Sequence, residues 1–66
     1  MEDPRAVARG MLQRHDVSLP GLWAWYRANG GDLPPLDFEA ILYELQEPEP
    51  FEMNVLDWAL EDAAPG

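Results

Sequence analysis

Apolar residues along this chain recur at helical spacing in four separate runs, and none of the runs alternates with polar residues as a half-buried strand would. In the first run Val7, Ala8, Met11, Leu12 and His15 share one face. Asp3 is a natural cap in front of it, and Pro4 suits the first helical position. Gly10 either permits a close helix approach or marks a weak helix, at a cost of about 1 kcal/mol against alanine. The second run, Leu19, Leu22, Trp23 and Tyr26, follows a Ser18 cap, with Val17 and Leu22 at the spacing of a hydrophobic staple. Asn29, Gly30 and Gly31 then supply the left-handed residues that end a helix.

The stretch DLPPL must be extended, because residues before proline avoid the helical region. Phe38, Ile41, Leu42 and Leu45 form the third run, with Asp37 either capping it or lying in its first turn if Pro35 starts the helix. Pro48 and Pro50 stop that helix and begin a fourth, expected from Pro50 to Ala63, which carries Phe51, Val55, Leu56, Trp58, Ala59 and Leu60. Only Asn54, Asp57 and Glu61 mark its polar side, and a helix apolar over so much of its surface is either central or meets another chain. The pattern predicts an all-α fold: a small compact bundle of about four short helices, residues 1–66 as one acidic helical domain, and residues 64–66 as a frayed tail.

Composition narrows this picture. A 66-residue chain without cysteine has neither disulfides nor thiolate-bound zinc to staple it, so support must come from packing, self-association or a partner. At 47% hydrophobic residues, with three tryptophans, it is too apolar for a disordered acidic tail. Its N-terminus lacks the basic region and apolar core of a signal peptide, and the longest apolar run, LWAWY, is far short of a membrane span. The expectation is a cytoplasmic protein without membrane association.

The net charge of −9 is unevenly placed. Glu2, Asp3, Asp16 and Asp32 in the first half are balanced by Arg5, Arg9, Arg14 and Arg27, whereas the half from Pro34 onwards holds nine acids and no base. Such asymmetry argues against a nucleic-acid binder and leaves two readings, a partner with a basic surface or charge that only keeps a small protein soluble. A helix–turn–helix reading fails on the same ground, because the candidate recognition helix DFEAILYELQE has four acids, no base, and would repel phosphate.

Catalytic chemistry has little to draw on. Cys, Lys and Thr are absent, and the single serine, Ser18, is a helix cap. The single histidine, His15, reads as a boundary residue on the apolar side of its helix, one nitrogen wet and the other bonded to Asp16. One histidine cannot form the usual ligand sets of catalytic zinc, and the carboxylate pair Asp57 and Glu61 lacks the Glu-x-x-His motif of a di-iron bundle. No catalytic residue, metal or cofactor is expected, and the chain is not read as an enzyme.

Three surfaces stand out instead. Glu39, Tyr43 and Glu47 line up opposite the core stripe of the third helix, leaving Tyr43 between two carboxylates, an arrangement suited to an arginine-bearing partner. Trp25 lies off the stripe of the second helix, and tryptophan is enriched at interface hot spots. Glu44, Glu47, Glu49 and Glu52 cluster around the proline-stiffened turn between the last two helices, either as a solvated corner or as a docking surface. Arg5 or Arg9 is available to neutralise that cluster across the fold.

The series Leu22, Trp23, Tyr26, Gly30, Gly31, then Leu36 and Leu42, then Pro48, Pro50, Phe51, Val55, Leu56, Ala59 and Leu60 resembles short helical proteins that recur in actinobacteria. The resemblance implies a bacterial helical protein and brings no activity with it. The functional expectation is a non-catalytic acidic protein-binding module, a regulator or inhibitor that docks on a basic surface of a bacterial protein, with its carboxylates in the role of nucleic-acid phosphates as the sharpest version. The alternative is a structural domain that self-associates as a homodimer through its last helix.

Overall fold

Four proline-led segments become helices in the computed structural model, which describes residues 2–64: α1 (Pro4–Gln13), α2 (Leu19–Ala28), α3 (Pro35–Leu42) and α4 (Pro50–Ala63). No strand occurs among the described residues. Each helix has proline at one of its first two positions, where the missing N–H is an orphan donor in any case. Asp3 caps α1 by accepting the Arg5 N–H at 2.9 Å, and Ser18 caps α2 by accepting the Gly21 N–H at 3.1 Å. Pro34 holds the cap position of α3, which places Asp37 in the first turn. Glu49 holds that of α4 without a side-chain cap bond.

Three of the helices end in one motif, in which the N–H groups of two successive residues reach back to the last turn. After α1, His15 donates to Leu12 and Asp16 to Met11; after α2, Gly30 to Arg27 and Gly31 to Tyr26; after α3, Glu44 to Ile41 and Leu45 to Ala40. The motif needs a left-handed residue, and these are His15 (φ 61°), Gly30 (φ 105°) and Glu44 (φ 61°). His15 therefore does not extend the apolar face of α1: the helix stops at Gln13 and His15 is exposed.

The core gathers Ala8 and Met11, Leu22 and Tyr26, Phe38 and Leu42, and Val55, Leu56, Ala59 and Leu60. Helix α4 packs against both α2 and α1, and α3 closes over α1 and α2. The broad apolar arc of α4 is thus largely consumed inside the fold, leaving Phe51 and Trp58 exposed on its outer side. Three expected stripe residues belong to the surface: Phe51, Trp58, and Leu45 at 82% exposure. Of the tail expected at residues 64–66, Pro65 and Gly66 lie outside the described residues, while Ala64 still donates its N–H to Leu60. No described helix is long and apolar enough to cross a membrane.

Candidate functional site

Helix α3 is apolar on both sides. Phe38, Ile41 and Leu42 face the core, whereas Leu36, half-buried Ala40 and Tyr43 follow one another at i, i+4 and i+7 on the opposite side. Leu36 is 79% exposed and Tyr43 50%. Leu45 joins them, so that Leu36, Glu39, Ala40, Tyr43 and Leu45 line one shallow groove. Had the helix continued, Leu45 would have lain over Phe38 and Ile41; the left-handed turn at Glu44 sends it outwards instead. There its N–H donates to the Ala40 carbonyl, and both residues line the groove, the pair of positions at which this motif favours apolar side chains.

The turn is held from across the fold. Arg9 of α1 donates to the Leu42 carbonyl at the end of α3 and pairs with the Glu44 carboxylate at 3.1 Å. Arg5 reaches the same carboxylate at 4.0 Å. The guanidinium thus meets both the last carbonyls of α3 and the residue that bears the left-handed cost, about 1–2 kcal/mol for a side chain other than glycine. Arg5 is also bonded to Asp3 at 2.7 Å, and the hydrogen bonds from Arg5 hold the Asp3 carboxyl below the usual carboxylate range. That Asp3 bond in turn raises the Arg5 guanidinium.

The four corner glutamates therefore divide. Glu44 is neutralised by α1. Glu52, in the first turn of α4, accepts the hydroxyl proton of Tyr26, whose oxygen also accepts the Leu33 N–H at 3.2 Å. Burial, and then the Glu52 bond, push the Tyr26 hydroxyl up to about 12. Its ring is buried against Phe38, with centroids 4.7 Å apart. Glu52 is thus a structural partner more than a free docking charge, a role that local spacing could not disclose because Tyr26 lies on another helix. Glu47 and Glu49 are exposed, and their carboxylates make no hydrogen bond or ion pair among the described residues, Glu47 feeling Arg5 only at longer range. Glu39 stands in the groove wall without an ion pair among the described residues.

Trp25 lies apart from this groove. It is exposed, and its carbonyl accepts from the Asn29 amide, which also reaches Asp62 of α4 at 2.9 Å. Trp58 sits one turn before Asp62, so the aromatic residues Trp25 and Trp58 border the α2–α4 seam. Trp23 instead turns inwards, its indole N–H donating to the Leu33 carbonyl at 2.9 Å under the Arg27 guanidinium. The remaining arginine, Arg14, pairs with Asp16 at 3.0 Å, the bond the sequence reading gave to His15. Sequence reasoning placed Tyr43 between Glu39 and Glu47; Glu39 does share the groove with Tyr43, but α3 ends at Leu42 and the left-handed turn at Glu44 breaks the helical alignment that would have put Glu47 on the same face. It overlooked Leu36 and Leu45 as neighbours of Tyr43, although the spacing of Leu36, Ala40 and Tyr43 was a signal available. Among the described residues no three His, Asp or Glu side chains converge as a metal ion would need. Comparison with protein-family models, with curated proteins and with solved structures finds no match for this chain.

Proposed function

We propose that this chain is a non-catalytic acidic protein-binding module, a regulator or inhibitor of a bacterial cytoplasmic protein that docks through the outer side of α3 and the corner leading to α4. The observation that carries this reading is exposed Tyr43 in one groove with Glu39, followed along the corner by exposed Glu47 and Glu49, carboxylates that the fold's own arginines leave unpaired among the described residues. A tyrosine among free acids offers hydrogen bonding and cation–π contact to arginine or lysine on a partner. The test is a pull-down from an actinobacterial lysate with the wild type beside a Glu39→Gln, Glu47→Gln, Glu49→Gln variant. A basic protein held only by the wild type, and released by competing DNA, supports docking with the carboxylates in the place of phosphates. Equal capture by both forms sinks the reading.

The second reading, a homodimer, is favoured by a different observation: Trp25, Phe51 and Trp58 are all exposed on α2 and α4. Tryptophan and phenylalanine in water at this density are a candidate interface. Sedimentation equilibrium at rising concentration distinguishes the two, since a strict monomer removes the dimer and a Trp58-dependent dimer supports it.

A further inference from the structure

Resting on the docking reading above, we infer that the outer groove of α3 seats a single cationic amphipathic helix of the partner protein. Three independent features point to that occupant. Leu36, Ala40 and Tyr43 present anchors at i, i+4 and i+7, the spacing with which a helix recognises another laid alongside it, and Leu45 closes the end of the same floor. The position of Leu45 is imposed and not incidental: a left-handed glutamate, tied to Arg9 and Arg5, keeps an aliphatic side chain at 82% exposure where a continued helix would have turned it towards the core. A left-handed side chain held by arginines of another helix, with an exposed apolar group behind it, motivates the hypothesis of a functional surface.

Charge selects the occupant. Glu39 lines the groove, and Glu47 is exposed two residues after Leu45 at its end, in a molecule of net charge −9 whose four arginines are each engaged within the chain. A second copy would bring further negative charge to an already acidic rim. A partner helix with leucine, methionine or phenylalanine on one face and arginine or lysine along its flanks satisfies both the floor and the rim, with one cation over the Tyr43 ring.

The experiment titrates the full chain with a leucine–lysine peptide patterned as an amphipathic helix and, separately, with a scrambled peptide of identical composition. Binding is read by fluorescence anisotropy and mapped by amide chemical shifts. The expected result is roughly tenfold or greater preference for the patterned peptide, with shifts at Leu36, Ala40, Tyr43 and Leu45. The double variant Leu36→Ser, Leu45→Ser is expected to lose that preference while keeping its helical circular dichroism and thermal transition, because both side chains are already in water. Equal binding of the two peptides, lost in the Glu39→Gln, Glu47→Gln, Glu49→Gln variant, overturns the groove and leaves acidic docking standing. Binding of neither peptide overturns both. Shifts centred on Trp25 and Trp58 overturn the groove in favour of the α2–α4 seam, and a dimer abolished by Leu36→Ser, Leu45→Ser overturns it in favour of a second copy.

Discussion

At the end of α2 the left-handed residue is Gly30, and the chain beyond it folds back onto the core: Gly31 lies against the Tyr26 ring, and Leu33 is bonded to both Tyr26 and Trp23. At the end of α3 the same pair of backbone bonds forms around Glu44, and the next residue, Leu45, is turned out into water. One motif thus serves two purposes, and the residues after the turn decide between them. Behind α2 the chain seals the bundle with aromatic side chains; behind α3 it is pinned by arginines and presents an apolar edge. The difference teaches that a shared hydrogen-bond pattern fixes direction, while burial or exposure is settled by what meets the chain after the turn: the aromatic side chains of α2 itself in one case, the arginines of α1 in the other.

The contrast is broken most severely at Gly31. Any Cβ there would run into the Tyr26 ring, so Gly31→Ala is expected to cost about 2–3 kcal/mol. That is most of the ~3–5 kcal/mol a domain of this size commands, and urea unfolding should show a largely lost transition. Tyr26→Phe comes next, at about 1–3 kcal/mol, because it strands both the Glu52 carboxylate and the Leu33 N–H. Its alkaline behaviour sharpens the point. Tyr26 is held protonated up to about 12 in the folded chain, against about 10 when unfolded. Stability is therefore full below pH ~10 and falls as pH rises towards 12, a fall of about 1.4 kcal/mol per unit that pH-dependent unfolding should lose in Tyr26→Phe.

Smaller effects probe the other two turns. His15→Gly relieves a left-handed side chain and is expected to stabilise the chain by about 1 kcal/mol, measured as a raised urea midpoint. Glu44→Gly relieves the same strain but gives up the pairing with Arg9 and Arg5, worth about 0.2–1 kcal/mol per pair at this exposure, so its net change is expected near zero. If Glu44→Gly stabilises as much as His15→Gly, the ion pairs of Arg9 and Arg5 with Glu44 contribute nothing to the turn.

Much of the fold was legible because each helix announces itself twice, by a proline or cap at its start and by an unbroken apolar face. The exposure of Tyr43 and Trp25 followed from rotation about the helix axis alone. What escaped were the two left-handed residues without glycine. Leu45 satisfies the i+7 spacing from Phe38, and nothing in Tyr43-Glu44-Leu45 resembles a stop, so the pattern carried the helix one turn too far; His15 failed in the same way. The Tyr26–Glu52 bond escaped for another reason. A glutamate in a first turn already has a local explanation in the helix dipole, and its real partner is brought near only by the crossing of α2 and α4. For the candidate site, the acids and the tyrosine were visible and Leu36 and Ala40 could have been found from their spacing to Tyr43, but Leu45 depended on a turn that sequence spacing could not place.

The inward engagement of the arginines has a kinetic consequence. With Arg5, Arg9, Arg14 and Arg27 each held by a group of the same chain, an approaching molecule meets a predominantly anionic field, felt over ~8 Å at physiological ionic strength. A cationic partner is accelerated towards the surface by that field, and its association rate should fall steeply as salt is added. The lifetime of the proposed complex, set by contacts made only after docking, should respond to salt far less, so that speed and persistence of the proposed capture would be separately adjustable.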